Sequence, residues 1–165
     1  MRRNSHVTDQ VADGRSIALQ TGHHEIDQRR PSGIGTGVLW VVIPYTTPDL
    51  TRAALRHAGV CSDLDVHVVL VDIQVVPFPC PLDQPPVSRE FSETRLHQLI
   101  KESRLTGHAA VLYTRDRLET LNKLLEPKSL VILATQTRWW PTCQQKLARA
   151  LTKTGHHVML LPVVR

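Results

Sequence analysis

The stretch LVILATQTRWWPTCQQKLARALTKTG, residues 130 to 155, reads as a buried strand, a short loop and a helix. Its opening run LVILAT is apolar without alternation, as suits a strand covered on both faces. Cys143, Leu147, Ala150 and Leu151 then recur at helical spacing, and Gly155 stands where a helix is stopped. In open α/β proteins the loop between such a strand and helix is where a phosphate is held. Glycines there normally let backbone N–H groups approach the anion. This loop has none and carries Thr137, Arg138, Trp139 and Trp140 instead.

Working outward, the same strand and helix grammar repeats. VLWVVIPY (38 to 45) is a continuous apolar run, followed by Thr47 as N-cap, Pro48 at the first helical position and Asp49 in the first turn. Leu50, Ala53, Ala54 and Ala58 give that helix its apolar face and Gly59 is expected to end it. DVHVVLVDIQVV (65 to 76) is a second strand. The connection after it holds five prolines between 77 and 86, so it is neither helix nor interior strand but an extended loop. Ser88 caps a helix with Phe91, Leu96, Leu99, Ile100 and Ser103 on one face, which Gly107 is expected to close. HAAVLYT (108 to 114) is a third strand. Asp116 and Glu119 have capping-box spacing for a short helix with Leu118, Leu121 and Leu125. SLVILAT (129 to 135) is the fourth strand, a helix runs from about Pro141 to Lys153, and HVMLLPV (157 to 163) is the fifth strand.

Five strands alternating with helices imply a single three-layer, doubly wound α/β domain with a parallel sheet and right-handed crossovers. In such a sheet the ligand crevice lies beyond the carboxyl ends of the strands, where the winding reverses. PYTT after strand one and TQTRWW after strand four are therefore crevice-lining segments.

The 165 residues fit one domain, able to bury roughly two-thirds of its unfolded surface. With aromatic residues at 4%, Val, Leu, Ile and Ala must build the core. Residues 1 to 36 show no lasting period and read as a disordered or loosely attached tail, leaving 37 to 165 as the domain. The net charge of +5 divides into +1 for the tail (Arg2, Arg3, Arg15, Arg29 and Arg30 against Asp9, Asp13, Glu25 and Asp27) and +4 for the rest. No Lys or Arg run exceeds two residues, so nucleic acid is not the expected partner. Cys61, Cys80 and Cys143 are odd in number, lack C-x-x-C spacing and have no companion histidine at metal-ligand spacing, so they make neither a disulfide framework nor a zinc site. No apolar run suits a signal peptide or a membrane span, so membrane insertion is not expected and the expected compartment is the reduced cytoplasm.

With these elements on the page, VVIPYTTPDLTRAALRHA and SLVILATQTR…TCQQKLARALTKTGHHVMLLPV together resemble the universal stress protein (UspA-like) family, over roughly residues 37 to 164. The resemblance implies an adenine nucleotide alpha hydrolase-like fold with strand order 3-2-1-4-5 and four helices. It also implies a cytoplasmic regulatory or stress-response role and a homodimer through strand five. Nucleotide-binding members carry an acid just after strand one, and after strand four a G-x-x-G stretch, about nine residues, then G-[S/T]. Here Pro44 and Tyr45 stand where the acid and a glycine would. Thr137 and Trp139 or Trp140 fill glycine positions, and Pro141 with Thr142 replaces the final pair. The crevice candidates are Tyr45, Thr46, Val71, Thr135, Arg138 and Thr142.

Tryptophan does not reach the positive φ angles that a phosphate nest uses cheaply with glycine, and Pro141 removes a donor. The reading is therefore a non-catalytic binding and regulatory domain with a degenerate nucleotide-binding site, needing no cofactor, whose partner is a second copy or an unidentified protein. Its rival keeps ATP or another adenine nucleotide by stacking the base on Trp139 or Trp140, with Arg138 and Thr142 on phosphate. Those tryptophans otherwise serve packing or dimerisation. A further rival is a hydrolase or transferase acting on a phosphorylated small molecule through Asp72 or Cys143, although no G-x-S-x-G or P-loop is present. Cys143 has the place of a helix-start thiol but reads as a buried, inert one. Asp72 and His67 are five apart in one strand and so cannot share a face. His156 with His157, and His23 with His24, are adjacent and cannot chelate one ion, so no metal site is expected.

Overall fold

A computed structural model describes residues 38–60, 65–83, 85, 87–125, 130–137 and 142–164. The readings of the 1–36 tail, of Cys61 and of Arg138, Trp139, Trp140 and Pro141 lie outside the described residues. The elements run β1 (Val38–Pro44), α1 (Pro48–Val60), β2 (Asp65–Val75), α2 (Arg89–Ser103), β3 (Thr106–Thr114), α3 (Arg117–Leu124), β4 (Leu130–Gln136), α4 (Cys143–Lys153) and β5 (His157–Val163). All strand pairs are parallel and the order is β3-β2-β1-β4-β5, as the resemblance implied.

Two apolar layers sandwich this sheet. On one face Val41, Ile43, Val68 and Leu70 meet Leu50, Ala54 and Leu55 of α1 and Leu96, Leu99 and Ile100 of α2. On the other, Val71, Ile73, Val131 and Leu133 meet Leu121 and Leu125 from α3 and its C-cap, with Ala148 and Leu151 of α4. Successive side chains along a strand point to opposite faces, so the unbroken apolar runs are what coverage on both sides demands.

Several ends differ from expectation for local reasons. Gly59 lies inside the last turn of α1. Helix α2 stops at Arg104, a non-glycine residue at φ 60° whose N–H bonds the Lys101 carbonyl. Gly107 closes no helix. It sits in β3 opposite Val68, and a Cβ there would collide with the Val68 carbonyl oxygen. Phe91 is 61% exposed, because Ser92 rather than Phe91 is in phase with Leu96 and Leu99, and Ser92 is fully buried. At α3, Asp116 caps the Leu118 and Glu119 N–H groups at 2.8 and 3.0 Å, whereas the Glu119 carboxylate pairs with Lys123. Cys143 is exposed rather than buried. It lies five residues, about 140°, around the helix from Ala148. Helix α4 ends as expected, with Gly155 at φ 93° and His156 N–H returning to the Leu151 carbonyl.

At the sheet's outer edge, Thr137 N–H donates to the Val163 carbonyl at 3.4 Å, so Val163 faces β4 and Pro162 turns its missing N–H outward. There no ladder bond is lost.

Candidate functional site

The sheet grows outward from β1 in both directions, so its switch point lies between β1 and β4. The ladder joining them ends, on the carboxyl side, with Val42 opposite Val131. Beyond that pair Pro44 has no N–H to offer, and the strands part around the crevice.

Tyr45 stands at the mouth. Its N–H donates to the Val71 carbonyl at 2.7 Å, prolonging the β1–β2 ladder, and its carbonyl accepts from Arg117 Nη2 at 2.9 Å. Arg117 is the first residue of α3, so this bond ties a helix of one layer to the loop feeding the other. The phenol ring is buried and faces the Arg95 guanidinium at 4.3 Å, a cation–π distance. Burial raises the Tyr45 pKa above its ordinary value, and the nearby Arg95 charge opposes that rise.

Arg95 is anchored by Asp72, whose Oδ2 accepts from Arg95 Nη2 at 2.9 Å and from Gln74 Nε2 at 3.0 Å. Gln74 also donates to buried Ser92 Oγ at 2.7 Å. Asp72 and Gln74 share a sheet face, two residues apart in β2, and Ser92 and Arg95 are one turn of α2 above them. The Asp72 side chain is 8% exposed and that of Arg95 30%. Arg95 and Arg117 each keep a buried Nε without a hydrogen-bond partner among the described residues.

On the far wall, Thr135 is buried and its Oγ1 lies 2.8 Å from Thr142 Oγ1. That Thr142 hydroxyl is also the N-cap of α4. It accepts from Gln145 N–H at 3.2 Å, while Gln145 Oε1 accepts from Thr142 N–H at 2.9 Å, a complete capping box. Capping of this kind is worth about 1 kcal/mol. Thr46 N–H reaches Thr51 Oγ1 at 3.4 Å.

The candidate residues thus divide. Tyr45 and Val71 are joined by a backbone bond, Thr135 and Thr142 by their hydroxyls, and Thr46 turns to its own helix start. Arg138 lies outside the described residues. The Val71 side chain is buried in the α3–α4 layer, leaving its carbonyl at the crevice. Sequence reasoning missed Arg95 and Arg117. Arg117 directly follows the Asp116 cap, a place always near the carboxyl ends of the strands, and that was the available signal. Arg95 sat one turn after Ser92, the true core phase. Asp72 faces α2 and His67 the opposite layer, consistent with their odd separation.

Away from the crevice, a groove of about 490 Å³ runs between α4 and β5, floored by Ala148, Val158 and Leu160 and rimmed by Gln145, Arg149 and Lys153. Among the described residues no group of three or more His, Cys, Asp or Glu could hold a metal, and no helix is long and apolar enough to cross a membrane.

No model of a protein family matches the chain, and no curated protein matches it in sequence. Solved structures do. A universal stress protein from Archaeoglobus fulgidus superposes with a TM-score of 0.54 at 11% identity, covering 74% of this chain and 92% of that one. A protein from the universal stress protein family of Burkholderia pseudomallei gives a TM-score of 0.47 at 14% identity, over 79% and 99% of the two chains. The order β3-β2-β1-β4-β5, with two helices on each face, is therefore the fold of the universal stress proteins.

Proposed function

We propose that this chain is a universal stress protein-like binding and regulatory domain, non-catalytic, that does not bind ATP in the usual way. The supporting observation is the commitment of the Thr142 hydroxyl. The group best placed for a phosphate already caps α4 and bonds Thr135. A phosphate oxygen would have to displace one of those partners, and the loop before it supplies no glycine N–H groups in compensation. The same internal use marks the near wall, where Pro44 stands in place of the acid and the ring of Tyr45 is held by Arg95. Against an enzymatic role through Asp72 stands its burial and its pairing with Arg95.

Thermal-shift titration with ATP, ADP and AMP in the presence of magnesium tests this reading. No saturable rise in Tm is expected. A saturable rise that Arg138→Ala abolishes would establish the rival, a nucleotide carried by Arg138 and the tryptophans.

The partner in this reading is a second copy, docked through β5. That strand is the sheet edge, and its Met159 and Leu160 are both more than a third exposed. Sedimentation equilibrium should give a dimer for the full chain and a monomer for Leu160→Glu. A monomer for the unaltered chain at tens of micromolar rejects this interface.

A further inference from the structure

At the amino end of the sheet, remote from the crevice, three strands place an aromatic residue and two imidazoles side by side. Trp40, His67 and His108 are each the third residue of β1, β2 and β3. Each stands two positions before a residue of the α3–α4 layer, namely Val42, Val69 and Ala110, so all three project from that face. The Trp40 and His67 ring centroids are 4.2 Å apart and those of His67 and His108 5.6 Å. His67 Nε2 and His108 Nδ1 face each other at 3.3 Å.

That separation is informative. Without an ion it is a hydrogen bond between the two rings, one nitrogen donating and the other accepting, so one lone pair is already aimed into the gap between them. Two nitrogens each about 2.05 Å from one tetrahedral ion, at the tetrahedral angle, stand about 3.3 Å apart. Imidazole is a preferred ligand of zinc, and only the neutral ring coordinates. Burial lowers the pKa of both rings, and the neighbouring His67 lowers that of His108 further.

We propose that His67 Nε2 and His108 Nδ1 form a two-imidazole site for a divalent zinc-like ion, with water completing the tetrahedron and Trp40 as one wall. Two protein ligands make a weak, exchangeable site rather than a resident structural one. Both rings are partly exposed and Trp40 is 37% exposed, so an ion can enter from solvent. Cross-strand placement holds the nitrogens, because β2 and β3 are paired continuously from His67–Thr106 to Val75–Thr114.

The test is a zinc chloride titration of the full chain, stripped of metal, followed by long-range proton–nitrogen NMR of the imidazole rings. His67 Nε2 and His108 Nδ1 should shift together and saturate at lower zinc than the other histidines. His108→Gln should weaken zinc binding at His67 about tenfold or more, since even outer-shell losses cost that much. If the two nitrogens stay unmoved at zinc levels that shift the other histidines, the proposal fails. It fails equally if His108→Gln folds and leaves the affinity at His67 unchanged. The titration of the unaltered chain needs no variant and decides the question alone. Because the site lies at the opposite end of the strands, either result leaves the reading of the crevice standing.

Discussion

Gly107→Ala should destabilise the domain by about 3 kcal/mol, the upper part of the range for overpacking. Here the obstacle is not a flexible side chain. A Cβ at this position meets the Val68 carbonyl oxygen and approaches its carbonyl carbon and Cβ to 3.1 Å. Relief requires β2 and β3 to separate, yet they carry the longest ladder in the sheet. Val68 itself is fully buried against α1 and α2, so the strain spreads into the core. Urea unfolding followed by circular dichroism measures the loss. A change within about 0.5 kcal/mol, typical of surface substitutions, would contradict the close approach of the two backbones.

Arg95→Ala should cost about as much, roughly 3 kcal/mol, because it strands a carboxylate that is 8% exposed. The Arg95 side is 30% exposed, so the cost belongs at the lower end for a broken buried pair. Gln74 remains as a donor to Asp72, but it must also serve Ser92. Tyr45 loses the cation over its ring at the same time. The double variant Asp72→Leu, Arg95→Met should recover most of the loss, since an apolar pair leaves no buried charge behind. Urea unfolding of the two variants compares them. If Arg95→Ala is no more harmful than Lys123→Ala, which breaks the exposed pair with Glu119, the network has no structural role.

These effects separate what local sequence reveals from what it conceals. Continuous apolar runs such as LVILAT and VVLV could only be strands covered on both faces, and each was. Ser88 announced a helix start because a short hydroxyl side chain competes for the first N–H groups of a helix. The 3-2-1-4-5 order, by contrast, came from the resemblance, since alternation alone leaves several strand orders open. Glycine was the weak point. Gly107 resembled a helix stop, but a glycine needed for close approach of two strands looks the same in sequence as one needed for positive φ, and Arg104 took the turn instead. Phase was another. Phe91 is more apolar than Ser92, yet the helix repeat placed Ser92 inward, where Gln74 satisfies it.

The candidate site was less legible than the fold because its key contacts are tertiary. Nothing in the chain order joins Arg95 to Asp72, 23 residues away, or Arg117 to Tyr45, 72 residues away. Both arginines read as ordinary polar helix positions. Thr142 was singled out as a phosphate hydroxyl, and its capping role is the alternative that the Gln145 three residues later already encoded. The absence of glycines between Thr135 and Thr142 was visible in sequence. What the structure adds is that the two hydroxyls flanking that gap are bonded to each other.

The most direct measurement is isothermal calorimetry of the full chain with magnesium ATP. With the Thr142 hydroxyl held by Thr135 and Gln145, no saturable heat is expected up to about 1 mM nucleotide, equivalent to binding weaker than about 4 kcal/mol. A saturable one-to-one isotherm in the micromolar range would contradict this, and would show that the crevice has kept its nucleotide by another route.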